Sequence, residues 1–173
     1  MIRRGLTRHS EQGVTLIELV VVMAIIGIMA LFMAPSIGEW TAGFRLRGGT
    51  KDLADTLQLA RLKAVSTGNQ YRVRLNLNSG SAAESFVLQE NDPTLGWTTE
   101  GATITLPKGV NIDRVDPGGI QAGNVDRTFN TNGTASGWAA GNATSSIYIE
   151  NQRNDQYRVI ISQTGMVKMR ESW

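Results

Sequence analysis

Between Gln12 and Gly38 the chain carries a single charged residue, Glu18, set five residues into an uncharged run that begins after Gly13. The uncharged stretch from Leu19 to Gly38 is 20 residues long, enough to cross a bilayer as one α-helix. A carboxylate near the centre of such a helix costs roughly 2.5 to 3.5 kcal/mol or more unless it is neutralised or paired. Any fold for this chain must therefore give Glu18 a partner, which makes it a functional candidate. An ordinary secretory signal fits poorly. Its apolar region is about 7 to 15 residues with a small-x-small cleavage site, whereas this run is longer and its Ala34 and Ser36 flank Pro35.

Arg3, Arg4 and Arg8 precede Gly13, which is followed by Val14-Thr15-Leu16-Ile17-Glu18-Leu19. This stretch resembles the prepilin leader of type IV pilins and type II secretion pseudopilins: Gly, usually Phe, then Thr-Leu-Ile-Glu. Val14 stands where Phe is usual. The resemblance implies that a prepilin peptidase cuts between Gly13 and Val14 and methylates the new amine of Val14. Glu18 then becomes the fifth residue of the mature chain, with Leu16 and Ile17 beside it as helix-packing residues for subunit assembly. It implies as partners the other minor and major pilins or pseudopilins, in the inner membrane and then in a filament. Arg45, Arg47 and Lys51 balance the leader arginines, so charge bias leaves orientation open. The resemblance sets it, with a short cytoplasmic tail and the remainder in the periplasm.

The pairing of amine and carboxylate has a physical basis of its own. Both ions are expensive in hydrocarbon, and each offsets much of the other's cost when they meet. Within one helix they lie about 6 Å apart along the axis, and a neighbouring subunit shifted along a filament brings them closer. Methylation leaves the charge in place.

Composition limits the chemistry. The first 13 residues hold three Arg and one Glu, so 17 basic and 15 acidic residues become 14 and 14 in the remaining 160. The basic balance belongs to the precursor and does not argue for a nucleic-acid partner. There is no Cys, and the single His, His9, lies in the leader. A mature chain without either cannot build a Ser-His-Asp triad, a Cys-His pair or a His-ligated zinc site. No enzymatic activity, cofactor or resident metal is expected.

The fold expected is α+β and type IV pilin-like: a long N-terminal helix packed on an antiparallel β-sheet or sandwich. The domains are residues 1–13 (leader), 14–67 (helix, with a transmembrane part at about 14–38) and 68–173 (a β-rich extracytoplasmic domain). Pro35 and Gly48-Gly49 are expected weak points of the helix. Leu53, Leu57, Ala60 and Ala64 recur at spacings of 4, 3 and 4, one face of an amphipathic helix ending at Thr67-Gly68. Asp52, Asp55, Arg61 and Lys63 read as its solvated charges. From Tyr71 the period becomes two, with Tyr71, Val73, Leu75 and Leu77 apolar. Further strands are expected at 85–89, 102–106, 110–112, 146–150, 157–162 and 166–169, the last two as a hairpin about Gln163-Thr164-Gly165. Residues 113–126 read as a long loop.

The helix run Leu53 to Val65, Phe129-x-x-x-Gly133 and Tyr157 to Gly165 are similar to FimT/GspH-type minor pilins. The resemblance implies a minor pilin of a type IV pilus. A type II secretion pseudopilin, protein H-like, is the alternative; Pro35 and Thr-Leu-Ile-Glu-Leu favour the pilus. A membrane-anchored binding protein that never polymerises is a further one. Some relatives bind DNA for uptake. Here Arg153, Arg158, Lys168 and Arg170, with Tyr157 or Trp173 for stacking, are the candidate contacts, although Met166 stands where many relatives have Arg. DNA is the less favoured partner. Asp113, Asp116 and Asp126 lack the spacing of a calcium loop and read as a plain acidic loop. Trp97, Trp138 and Trp173 read as amphipathic packing residues.

Overall fold

A computed structural model describes residues 13–77 and 83–172, with the side chains of 31–39 and 172 outside the described set. The chain divides into two compact units, Met1–Glu39 and Trp40–Trp173. Helix α1 runs Leu16–Thr67. Ten strands follow among the described residues: β1 Tyr71–Leu77, β2 Ser85–Asp92, β3 Gly96–Thr99, β4 Ile104–Thr105, β5 Val110–Asp116, β6 Gly123–Phe129, β7 Ala135–Ser136, β8 Thr144–Asn151, β9 Gln156–Ser162 and β10 Val167–Ser172.

The strands form two antiparallel sheets. One has the order β3-β2-β1-β6-β7 with β4 also on β2, and the other β10-β9-β8-β5. The helix and both sheets share one core. Leu46, Leu53, Leu57, Ala60 and Ala64 contribute from α1, Tyr71, Val73, Leu75, Phe86 and Phe129 from the first sheet, and Ile112, Ile147, Ile149, Val159 and Ile161 from the second. The four-three-four spacing thus marks the buried face as expected. Register follows from the period of two: Leu75 lies opposite Phe86 on one side and Val125 on the other, and Tyr71 opposite Phe129.

Several expectations need correction. Gly48-Gly49 does not break α1. A Cβ on Gly49 would come within 2.9 Å of Pro107 Cδ and 3.2 Å of Leu106 Cδ2, so the glycine is there for close approach. Pro35 falls among 31–39, whose side chains lie outside the described residues. Residues 113–126 are not one long loop: β5 continues to Asp116, Val115 bridges back to Ile120, and β6 begins at Gly123. Asp126 is therefore a strand residue. It accepts from Arg72 Nη1 at 2.8 Å and from Arg74 Nε and Nη2 at 2.8 and 2.9 Å. Arg72 also donates to Gln89 at 2.8 Å and stacks on Trp97. Burial opposes ionisation of Asp126, yet the hydrogen bond from Arg74 and the nearby charges of Arg72, Arg74 and Arg127 together hold its pKa below the usual carboxylate value.

The helix charges are not all merely solvated. Lys63 pairs with Glu100, and Arg61 Nε donates to the Gly133 carbonyl at 3.2 Å. A Cβ on Gly165 would meet that same carbonyl oxygen at 2.0 Å and Arg61 Nε at 2.8 Å, and Gly165 has φ +77. The helix, the β6–β7 turn and the β9–β10 turn thus meet at one arginine. Gly68, at φ +75, ends the helix in the left-handed conformation.

Arg127, only 1 % exposed, takes a core position on β6 beside Val125 and Phe129. Its Nε donates to Ser145 Oγ at 2.8 Å and its Nη1 to the carbonyls of Asp126 and Gly137 at 2.9 and 2.7 Å. Ser145 in turn donates to the Asp116 carbonyl at 2.6 Å. This chain of bonds ties β6 of one sheet to β8 and β5 of the other. Burial pushes the Arg127 guanidinium down to about 10, against a raising contribution from Asp126.

Candidate assembly site

The start of α1 is built by its own sequence. Thr15 is the cap: its carbonyl accepts from Leu19 N–H at 3.2 Å and its hydroxyl oxygen from Glu18 N–H at 3.3 Å. Glu18 is the third helical residue, so Thr15-x-x-Glu18 has the spacing of a capping box. A carboxylate in the first turn also complements the positive end of the helix dipole. Glu18 thus has a local helical role besides the one assigned to it above, and the sequence already carried that signal. Gly13 and Val14 lie in the non-helical stub before the cap. Among the described residues nothing lies within 4 Å of a Cβ built on Gly13, and Val14 is exposed.

Among the described residues of this unit the large apolar side chains are exposed. Val14, Leu16, Ile17, Leu19 and those following, as far as Met29, are about half exposed or more, with Leu16 at 82 %. A helix apolar on every side belongs in lipid or among other proteins. Among the described residues, no helix is long and apolar enough to cross a membrane. The expected span, 14–38, runs into residues whose side chains lie outside that set.

The basic candidates separate into two places. Arg158 on β9 faces Arg170 on β10, and Ile160 faces Lys168. Because Val159 and Ile161 point into the core, these basic side chains share the outer face of the second sheet and line one shallow groove with Thr144, Ser146 and Met166. Arg153 lies in the β8–β9 turn instead. The aromatic on this face is Tyr148, not Tyr157, which packs against the core. Arg114 stacks over Tyr148 at 4.0 Å, and Arg158 Nη1 donates to its hydroxyl at 3.4 Å. Sequence reasoning missed Tyr148 because sheet face depends on register. Trp173, the other stacking candidate, lies outside the described residues. Arg114 pairs with Asp113 at 3.1 Å and Asp116 at 3.4 Å, so these aspartates answer a cation on the same strand. No group of three or more His, Cys, Asp or Glu gathers to hold a metal among the described residues.

Comparison with known proteins agrees with this architecture. Residues 8–34 match the prokaryotic N-terminal methylation motif. No curated protein sequence matches the chain. Among solved structures, it is similar to the minor pseudopilin EpsH of the Vibrio cholerae type II secretion system, with a TM-score of 0.57 at 14 % identity over 75 % of this chain and 95 % of that one. A second EpsH structure gives 0.55 at 12 % identity, covering 73 % and 97 %. The type IV minor pilin FimU of Pseudomonas aeruginosa gives 0.55 at 16 % identity, covering 76 % and 92 %. The chain thus joins a prepilin-type methylation motif to the α+β fold shared by minor pilins and minor pseudopilins.

Proposed function

We propose that this chain is a structural minor subunit of a type IV pilus. It is held in the inner membrane by residues 14–38 as a single-pass helix with the β-rich domain in the periplasm. A prepilin peptidase cleaves it after Gly13 and methylates Val14, and it is then assembled among other minor and major pilins through its N-terminal helix. The observation that carries this reading is a helix start whose described apolar side chains lie exposed, inside a match to the methylation motif that runs from residue 8 to 34. Leu16, Ile17 and the residues after them pack against neighbouring helices, and Glu18 meets the methylated amine of an adjoining subunit.

Two substitutions separate the charge pair from helix capping. Glu18→Ala removes both roles, whereas Glu18→Gln keeps a capping-box side chain and removes the charge. Both variants are expected to be inserted and processed normally, with reduced recovery in purified filaments. Wild-type recovery of Glu18→Gln would assign Glu18 to capping alone. Mass spectrometry of the native product should find a methylated Val14 at its amino terminus; an intact Met1 would end the proposal.

A type II secretion pseudopilus is the rival assembly, supported by the likeness to EpsH. Genes beside this one decide between them: a retraction ATPase favours the pilus, a secretin with other pseudopilins the secretion system. The shared face of Arg158, Lys168 and Arg170 supports DNA as a second ligand. Binding there should fall steeply with salt, and absence of DNA retardation at low salt would remove it.

A further inference from the structure

We infer that the outer stripe of α1 just beyond the apolar run, Trp40, Phe44, Arg47 and Lys51, is an interfacial anchor that seats the subunit against the phosphate layer of the membrane before assembly. The inference rests on residues 14–38 spanning the bilayer. At 3.6 residues per turn, positions 40, 44, 47 and 51 fall within an arc of about 60°. Leu46, Leu53 and Leu57 occupy another side, which enters the core. All four stripe residues are exposed, with Trp40 at 73 % and Phe44 at 57 %, although they belong to the same compact unit as the sheets. The two aromatic rings also order each other edge to face, with centroids 4.9 Å apart.

The order along the helix matches the order of layers at a bilayer surface. Trp40 follows the last residue of the uncharged run, Gly38, by two positions. Phe44, Arg47 and Lys51 lie about 6, 10 and 16 Å beyond it along the axis. The headgroup layer on each side is about 5 to 7 Å thick. Tryptophan is favoured at that boundary, where its ring is half in oil and half wet. Helical side chains lean towards the N-terminus, so the Arg47 guanidinium reaches back to the phosphates while its stem covers apolar surface, and Lys51, one turn further out, adds its attraction to an anionic surface within about a Debye length. Glu39 directly precedes Trp40 and Asp52 directly follows Lys51, each one position, about 100°, off the stripe; the first acidic residue on the stripe's own side of the helix is Asp55, about 22 Å beyond Trp40. Aromatic side chains at the boundary and cations just outside it fit phospholipid headgroups better than an apolar protein surface, which would leave both cations without partners.

The test uses the full-length chain reconstituted in phosphatidylcholine vesicles, with and without phosphatidylglycerol, carrying acyl chains brominated next to the headgroup. Wild-type tryptophan emission should be quenched, and Trp40→Phe should abolish most of that quenching while Trp97 and Trp138 still emit. Arg47→Glu with Lys51→Glu should lower quenching in phosphatidylglycerol vesicles to the level seen without that lipid. A chain that floats with the vesicles while Trp40 stays unquenched would overturn this inference and leave the span intact, and Trp40 shielded from aqueous iodide in that state would mark a protein contact instead. A chain that fails to float removes both span and anchor.

Discussion

The two ends of α1 have one secondary structure and opposite relations to the rest of the molecule. From Leu46 to Ala64 the helix buries one apolar face against both sheets, and its Arg61 and Lys63 find partners in the β-rich region. From Leu16 to Met29 the apolar side chains are unburied all round. Helical propensity does not distinguish the two. What differs is where stabilisation comes from: the domain's own core in one case and, under the function proposed above, lipid or neighbouring subunits in the other. A substitution should therefore read out as folding at one end and as assembly at the other.

The largest effect on folding is expected at Gly165→Ala. It combines a left-handed backbone with a Cβ placed 2.0 Å from the Gly133 carbonyl oxygen, and should cost about 3 kcal/mol or more of domain stability in thermal unfolding. Leu57→Ala, fully buried, should cost about 2 to 5 kcal/mol in the same assay. Leu19→Ala, equally apolar and equally helical, should leave domain unfolding within about 0.5 kcal/mol of wild type and instead lower filament incorporation. Equal unfolding shifts for Leu19→Ala and Leu57→Ala would break the distinction between the two ends. The smallest effect concerns Asp126. Its carboxylate has a depressed pKa in the folded state, so its contribution is complete above the unfolded value of about 4 and is lost as pH falls through the folded one. Asp126→Asn should cost about 1 kcal/mol near neutral pH, since the pair is partly exposed, and should flatten the acid limb of the stability profile.

Much of this architecture is legible in residue order because single periods carry it. Leu53, Leu57, Ala60 and Ala64 declare a helix face, Tyr71 to Leu77 a strand, and Gly165 a turn. Strand β6 escapes notice for a physical reason: Arg127 occupies a position where alternation demands an apolar residue, and its bonds to Ser145, Gly137 and the Asp126 carbonyl make that burial tolerable. Strands β3 and β7 are too short to show a period. Gly49 reads as a breaker because its partner, Pro107, is remote in sequence. At the candidate site, the apolar run and Glu18 are evident from sequence, as was the unused capping-box spacing. The gathering of Arg158, Lys168 and Arg170 beside Tyr148 required the register of β8, β9 and β10.

The meeting of Arg61 with Gly133 and Gly165 bears on mechanics. A subunit in a filament is pulled by its helix, and a helix gripped only by greasy contacts can slide through its socket. Here one guanidinium stem, bonded to a main-chain oxygen of one sheet's turn and lodged against the turn of the other, works as a cross-pin. In the assembly proposed above, tension on the shaft would be shared between the two sheets at that point, so the domain would resist extraction as a unit.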